Sequence, residues 1–265
     1  MGGLGGLGAG AGGLGIVGVI LVLVFTVFSG GGFNPRGFED IPPLGGGGTT
    51  TGPDKDANLK EFVSFVVADV QQSWTQAFED AGETYEPTKL VLFERAVQSG
   101  CGLASSQTGP FYCPTDRKVY VDLGFFRELS DRFGAPGDFA QAYVIAHEFG
   151  HHVQNVLGIS DDVRSEQESN PDRANELSIL LELQADCLSG AWAHTAQQRK
   201  LLEEGDLEEG LAAAAAVGDD RIQREATGQI NRESWTHGSS EQRSMWFRRG
   251  FDRGAIAACD TFAES

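Results

Sequence analysis

The chain has 265 residues, of which 40% are hydrophobic, so it can bury the core of one ordinary domain but not of two large ones. Its 38 acidic residues outnumber its 20 basic residues and give a formal net charge of −18. Such a surface should repel nucleic acid and anionic membrane surfaces, and a nucleic-acid partner is therefore disfavoured.

The N-terminal segment is uncharged and consists mostly of glycine and apolar residues. Residues 16–28, IVGVILVLVFTVF, are strongly apolar, and the uncharged run covers residues 1–34. Because a bilayer span needs about 20 apolar residues, this run predicts a single transmembrane helix that anchors the chain. The alternatives are a cleaved signal peptide, which would normally carry basic residues and an Ala-x-Ala-like cleavage site, and a buried helix of the domain.

Residues 35–55 are rich in glycine, proline and threonine and lack apolar periodicity, which predicts a flexible linker. The globular domain is then expected over residues 56–265. Only Arg36 and Lys55 lie close to the predicted span, so the positive-inside rule does not orient it.

The chain has four cysteines, Cys101, Cys113, Cys187 and Cys259, and no CxxC pair. An even set favours disulfides, so we expect a single-pass protein of the cell membrane whose domain lies outside the cytoplasm. Of the three possible connectivities we predict Cys101–Cys113, which closes the loop CGLASSQTGPFYC, and hence Cys187–Cys259. Four reduced, buried thiols in a cytosolic protein are the alternative.

The first part of the domain combines helical and strand patterns. Apolar residues at three- and four-residue spacing predict a helix over residues 58–80. The short β-rich runs 89–94 and 118–123 predict two strands of one small sheet. Residues 124–134 have a helical pattern again.

The second part of the domain is predicted to be helical throughout. Asp138 as N-cap and Gly158 just past the last apolar residue predict a helix over residues 139–157. Asn170 and Pro171 are typical of the start of a long helix. Further helical patterns cover residues 210–223 and 239–259. The predicted class is therefore α+β, mostly α, with a minor sheet.

The stretch AHEFGHH, residues 146–152, carries the clearest chemical signal. On a helix, His147 and His151 project from nearly the same face and can reach one metal ion. Glu148 lies beside that face, where a carboxylate can take a proton from a metal-bound water. This spacing predicts a catalytic zinc site. Two core or surface histidines without a metal are the alternative, and His152 is predicted to be structural.

A catalytic zinc ion needs a third protein ligand, and the stretch LLELQADC, residues 180–187, offers Glu182. Asp186 lies four residues further on the same helical face and could fix the tautomer of a liganding histidine. Apolar residues surround both carboxylates, which argues against the alternative of a solvated acidic face. His194 lies too far along the helix to share the ion and is predicted to be a surface residue.

The motif His147-Glu148-x-x-His151 together with Glu182-x-x-x-Asp186 resembles the gluzincins, the glutamate-ligand zinc peptidases. The segments CGLASSQTGPFYCPTDRKVYVDLGFF, GDFAQAYVIAHEFGHHVQNVLGI, LELQADCLSGAWA and THGSSEQRSMWFRRGF resemble, more closely, the bacterial family of putative neutral zinc metallopeptidases. This resemblance covers roughly residues 57–263. It implies a zincin-like domain behind one N-terminal transmembrane anchor, a Zn²⁺ cofactor and a peptide or protein substrate.

The chain departs from that family in lacking a basic segment before the predicted span, and a late start at Met1 would account for this. By the same resemblance, zinc held by His147, His151 and Glu182 would polarise a bound water and the scissile carbonyl. Glu148 would take the water's proton and pass it to the leaving amine.

A donor beside the metal usually stabilises the negative charge that grows on the carbonyl oxygen. His237, in WTHGSSEQR, is predicted to be that donor, because it precedes Gly238 on a loop and Ser239 or Ser240 could cap the helix that follows. The stretch also resembles a His-containing segment of membrane gluzincins, which usually have proline in place of Gly238. Tyr143, one turn before the motif, is the competing donor, and a His237 that only caps or packs is the other alternative.

Two other functions fit the same residues. One is a membrane-tethered domain that uses zinc for stability and binds a partner without turnover, although such a domain would not need Glu148. The other is a zinc hydrolase acting on a non-peptide amide, such as one in the cell wall. The sequence specifies neither the physiological substrate nor the oligomeric state.

Overall fold

The computed structural model describes residue 54 and residues 56–263. This part of the chain is mostly helical with a small sheet, which confirms the predicted α+β class. The predicted anchor over residues 1–34 lies outside the described residues. Among the described residues, no helix combines the length and the apolar character needed to cross a bilayer. The predicted domain limits stay predictions.

Helix α1 spans Ala57–Asp80 and confirms the helix predicted over residues 58–80. Its buried apolar residues recur every three or four positions, so they form one stripe that packs on the core. These residues are Val63, Val66, Val70, Trp74 and Phe78.

The main sheet has three strands in the order β1, β5, β4. Strands β1 (Lys89–Phe93) and β5 (Lys118–Asp122) pair in parallel, which confirms that the two predicted strands share one sheet. Strand β4 (Phe111–Cys113) pairs antiparallel with β5. Strands β2 (Ala96–Ser99) and β3 (Gly102–Ser105) form a separate hairpin. These three extra strands have only three or four residues each, too few for a periodic signal.

Helix α2 spans Leu123–Asp131 and is shorter than the predicted range of 124–134. Its N-cap is Asp122, whose Oδ1 accepts a hydrogen bond from Gly124 N at 2.5 Å. The last strand of the sheet therefore leads directly into this helix.

Helix α3 spans Asp138–Val156 and carries the histidine motif. The predicted capping role of Asp138 is wrong: Gly137 is the N-cap, and no side chain of the flanking chain caps the helix. Instead, Glu209 accepts a hydrogen bond from Phe139 N at 3.2 Å. A carboxylate distant in the sequence therefore satisfies the first turn, and local sequence could not reveal it.

Helix α4 (Ile159–Ser169) was not predicted, because its residues are mostly polar. The long helix α5 spans Ala174–Gln198. Its predicted start at Asn170 and Pro171 is wrong, since Pro171–Arg173 forms a separate 3₁₀ turn and Asn170 makes no capping bond. Proline thus initiates a tighter turn that leads into the helix.

Three helices complete the domain: α6 (Asp206–Ala216), α7 (Asp219–Thr227) and α8 (Ser240–Arg253). The pattern over residues 210–223 therefore contains two helices with a break between them. The pattern over residues 239–259 contains α8 and a final 3₁₀ turn.

Helices α5 and α8 approach closely where each has a glycine. A Cβ atom added to Gly190 would lie 2.0 Å from the carbonyl oxygen of Phe247. A Cβ added to Gly250 would lie 1.9 Å from the carbonyl oxygen of Cys187. No larger residue fits at either position without separating the helices. Because α5 also packs against α3, this contact brings α8 close to the histidine motif.

Both predicted disulfides are present. Cys101–Cys113 joins the hairpin to β4, and Cys187–Cys259 joins α5 to the C-terminal 3₁₀ turn. None of the four cysteines is free. Cys187 follows Asp186 directly on α5, and both Cys187 and Cys259 are buried. Their disulfide therefore holds the C-terminal segment next to the candidate site.

Candidate metal centre

Three of the predicted site residues converge between α3 and α5. Nε2 of His147 lies 3.2 Å from Oε2 of Glu182, and Nε2 of His151 lies 3.3 Å from Oε1 of the same carboxylate. One ligand atom from each residue lies within 4.8 Å of the others. Two imidazole nitrogens and a carboxylate oxygen are a donor set that catalytic zinc sites use. The residues present therefore fit a Zn²⁺ ion.

Asp186 makes the predicted contact with a histidine of this group. Its Oδ1 lies 2.9 Å from Nδ1 of His147 and accepts a hydrogen bond from the Tyr143 hydroxyl at 2.5 Å. When Nδ1 of His147 is the donor to Asp186, Nε2 of the ring keeps a free electron pair on the Glu182 side.

A buried arginine completes the surroundings of Asp186. Arg243, on α8, donates from Nε to Oδ2 at 2.8 Å and from Nη2 to Oδ1 at 3.0 Å. This two-point contact neutralises a carboxylate that is fully buried. Nη2 also lies 3.8 Å from Oε2 of Glu182. One guanidinium thus balances the charges of both Asp186 and Glu182.

The charges of this cluster shift its pKa values. Burial alone would raise the pKa of Asp186, but Arg243 and His147 hold it below its ordinary value. Burial alone would lower the pKa of His147, but the carboxylates of Asp186 and Glu182 raise it to about 10. A metal ligand must be a neutral imidazole, so a bound metal ion displaces this proton.

Glu148 differs from its neighbours in having no hydrogen-bond or ion-pair partner among the described residues. Its side chain is 8% exposed, and no group among the described residues forms a hydrogen bond or an ion pair with the carboxylate. Burial raises the pKa of the Glu148 carboxyl. The structure therefore leaves this carboxylate available beside His147.

His237 lies near the same centre, on the loop before α8. With Glu182 it lines a small cavity between α4 and α5. Ser239 caps α8 by accepting a hydrogen bond from Gln242 N at 3.1 Å, as one of the two predicted caps. The loop therefore carries the His237 ring into the cavity that adjoins the metal-binding residues.

Asp219, at the start of α7, fixes this loop. Its Oδ2 accepts hydrogen bonds from the backbone N–H groups of Thr236, His237 and Gly238 at 2.9, 2.7 and 3.1 Å. Its Oδ1 lies 3.2 Å from Nδ1 of His237. Burial would lower the pKa of His237, but Asp219 and the charge of Glu182 raise it. A raised pKa favours the protonated ring, in which both nitrogens are hydrogen-bond donors.

Three other side chains discussed from the sequence lie away from the cavity. The hydroxyl of Tyr143 is buried and already donates to Asp186. His152 is structural as predicted, since its Nδ1 and Nε2 contact the Tyr112 hydroxyl and the Glu86 carbonyl. His194 is half-buried rather than fully on the surface, with Nδ1 2.7 Å from the Phe251 carbonyl.

Asp219 and Arg243 are site residues that the sequence pattern did not reveal. Both act across elements, so neither stands at a ligand-like spacing from the motif. The sequence offers only an indirect indication of Arg243. Asp186 lies in an apolar stretch, and a carboxylate that is buried there requires a charged partner.

A helix with His-Glu-x-x-His packs here against a second helix that carries a candidate glutamate ligand, an arrangement that resembles the glutamate-ligand zinc peptidases. The family model described as "Putative neutral zinc metallopeptidase" matches residues 1–262. The chain belongs to this family, and Zn²⁺ is the cofactor that the family implies.

The chain also resembles individual bacterial proteins over most of its length. It is 50% identical over 214 residues to "Uncharacterized protein YpfJ" of Escherichia coli (strain K12), covering 80% of this chain and 74% of that protein. It is 43% identical over 218 residues to "Uncharacterized protein Rv2575" of Mycobacterium tuberculosis (strain ATCC 25618 / H37Rv), covering 78% and 73%. No solved structure matches the chain.

Proposed function

We propose that the protein is a zinc-dependent peptidase that hydrolyses peptide bonds, with His147, His151 and Glu182 as the metal ligands. The observation that carries this proposal is the convergence of the three ligand atoms within 4.8 Å, beside a glutamate that makes no hydrogen bond or ion pair within the described part of the chain. A metal that served only stability would not require Glu148 at this position.

Zn²⁺ in this site would supply a Lewis acid that lowers the pKa of a bound water and polarises the substrate carbonyl. Glu148 is the proposed general base. Its carboxylate accepts the proton of the attacking water, because none of the residues that the structure describes competes for its oxygens by a hydrogen bond or an ion pair. The same carboxyl then gives the proton to the leaving amine, which cannot depart as an anion.

His237 is the proposed donor to the carbonyl oxygen as that oxygen gains negative charge. Its position in the cavity with Glu182 and the hydrogen bonds from the loop to Asp219 support this role. Because Nδ1 faces Asp219, Nε2 is the nitrogen that can face the substrate. Tyr143 is the weaker candidate, since its hydroxyl donates to Asp186.

The proposed location is the outer side of the cell membrane, with residues 1–34 as the anchor. The two disulfides support an oxidising compartment. Trapping the thiols in intact cells and measuring the masses of the cysteine peptides tests this. Two disulfides are expected, and four free thiols in the trapped protein would contradict the location.

The function is tested on the purified full chain in detergent, by metal analysis and by cleavage of an unfolded protein. One zinc ion per chain is expected, and a chelator should abolish cleavage until zinc is restored. Isolated peptidoglycan is a second substrate in the same assay. Cleavage of peptidoglycan amides alone, or zinc without any hydrolysis, would overturn the proposed peptidase function.

A further inference from the structure

The amide side chains of Gln154 and Gln184 form a chain of hydrogen bonds behind His151. Nδ1 of His151 lies 2.8 Å from Oε1 of Gln154. Nε2 of Gln154 donates to Oε1 of Gln184 at 3.0 Å, and Nε2 of Gln184 donates to the Cys259 carbonyl at 3.0 Å. Both amides are buried, so water does not compete for these bonds.

Two backbone carbonyls fix the direction of this chain. A carbonyl can only accept, so the nitrogen of Gln184 must face Cys259 and its oxygen must face Gln154. The Leu181 carbonyl gives a second constraint, because the nitrogen of Gln154 also donates to it at 2.7 Å. The oxygen of Gln154 is therefore the atom that faces His151.

This direction determines the tautomer of His151. Because the oxygen of Gln154 accepts, Nδ1 of the ring must carry the proton. Nε2 then keeps its electron pair and lies on the side of Glu182, 3.3 Å from Oε1. His147 also holds a proton on Nδ1, because that nitrogen faces the charged Asp186. Nδ1 of His147 thus faces a charged carboxylate, whereas Nδ1 of His151 faces a neutral amide.

The chain of hydrogen bonds ends at the carbonyl of Cys259, in the C-terminal segment. Cys259 is bonded to Cys187 on α5, and the next residue but one, Thr261, donates from its hydroxyl to the Leu180 carbonyl at 2.7 Å. Both contacts hold the segment against α5. The Cys259 carbonyl is therefore a fixed acceptor rather than part of a loose tail.

We propose that Gln154 is a positioning residue that selects the metal-binding tautomer of His151. Gln184 and the disulfide-held carbonyl of Cys259 fix the orientation of the Gln154 amide. This inference rests on the zinc site of the proposed function, but not on the reaction that the site performs.

The test uses Gln154→Met in the full chain, with two readouts that need no catalysis. Zinc affinity is measured by competition with a chelator, and the tautomer of His151 by ¹⁵N NMR of the neutral ring in metal-free protein. Zinc should bind about 10–100-fold more weakly. The His151 ring should shift toward the Nε2–H tautomer. Glu182 can accept a hydrogen bond from Nε2–H, and methionine offers no acceptor to Nδ1–H.

Three further variants sharpen the test. Gln184→Met should have a smaller effect, because the Leu181 carbonyl still orients Gln154. Gln154→Glu keeps an acceptor for Nδ1–H and should retain the wild-type tautomer. Gln71→Met is the control: Gln71 accepts a hydrogen bond from Thr88 N at 2.8 Å, between α1 and the sheet, and this change should leave both readouts unaltered.

Unchanged zinc affinity and an unchanged tautomer in Gln154→Met would overturn the inference. If that variant does not fold, an Nε2–H ring at His151 in Gln154→Glu, which keeps the acceptor for Nδ1–H, would overturn it instead. A wild-type protein that binds zinc with the Nδ1–H tautomer but cleaves no peptide would support the inference and contradict the proposed function.

Discussion

Asp186 is a buried carboxylate whose charge is balanced mainly by Arg243. Tyr143 and His147 also contact it, but only the guanidinium brings a permanent positive charge. Removing one member of a buried ion pair leaves the other charge without compensation, which costs more than removing both. The pair is therefore expected to behave as a unit.

Arg243→Met should lower the free energy of unfolding of the metal-free protein by about 3–5 kcal/mol. The double variant Asp186→Asn with Arg243→Met should recover a large part of that loss, because an asparagine needs no counter-charge and still accepts from His147. Chemical denaturation of the single and double variants measures both quantities. Strictly additive effects would show that the two side chains do not act as a unit.

Glu148→Gln should keep the fold and the bound zinc, because the change removes a proton acceptor and no proposed ligand. The rate of peptide cleavage should fall by about 10²–10⁴-fold. Metal analysis and a cleavage assay on the same sample check this. Glu168→Gln, on the exposed surface of α4, is the matched control and should leave the rate unchanged. Normal turnover in Glu148→Gln would assign the base elsewhere.

His237→Ala should retain zinc while turnover falls by about 10²–10³-fold, the usual cost of losing one donor to the carbonyl oxygen. His194→Ala provides the control, because that ring binds the Phe251 carbonyl away from the cavity. A rate within a few-fold of wild type would remove His237 from the proposed mechanism. Tyr143→Phe would then be the next variant to assay.

At the scale of single residues, the four-residue spacings of His147 with His151 and of Glu182 with Asp186 pointed to the candidate ligands, because residues four apart share one helix face. Asp219 and Arg243 could not be found in this way. Their contacts to His237 and Asp186 exist only after α7 and α8 have packed against the rest of the domain. Sequence spacing within one helix carries no information about such contacts.

At the scale of elements, the long amphipathic helices were predictable, whereas their ends were not. Helix α3 lacks the cap that Asp138 seemed to offer, because Glu209 reaches its first turn from α6. The polar helix α4 has only one buried residue, Val163, so no apolar stripe identified it. Packing between elements overrode local sequence at both places.

The two disulfides should differ in what they stabilise. Removing Cys187–Cys259 by alanine substitution should cost about 4 kcal/mol, against about 3 kcal/mol for Cys101–Cys113, because its loop is longer. The sequence separations are 72 and 12 residues. Only the removal of Cys187–Cys259 releases the Cys259 carbonyl, so only that removal should also weaken zinc binding.

Denaturation of each double-alanine variant and zinc titration of the folded fraction measure these effects. The Cys101–Cys113 variant is the control for general loss of stability. Equal zinc affinity in the two variants would contradict a specific link between the C-terminal segment and the metal-binding residues.

At the scale of the whole molecule, the proposed zinc site joins α3 to α5 and so links metal binding to folding. The ligands come from both helices, and the unfolded chain does not hold them together. The strongly acidic composition adds a second consideration, because it could also attract cations to other carboxylates. One such group is Asp138, Asp206 and Glu209, whose oxygens also lie within 4.8 Å of one another.

The thermal stabilisation by zinc shows which of these two groups of side chains binds the ion. A ligand that binds only the folded state adds about 4 kcal/mol at a free concentration a thousand times its Kd, so zinc should raise the melting temperature of the metal-free protein. Glu182→Ala should remove most of that increase, because it deletes the carboxylate shared by both histidines. Glu209→Ala should leave it intact, although the variant itself should melt earlier because Phe139 N loses its acceptor. Calorimetry with and without zinc compares the three proteins, and an undiminished increase in Glu182→Ala would place the stabilising ion outside the His147–His151 site.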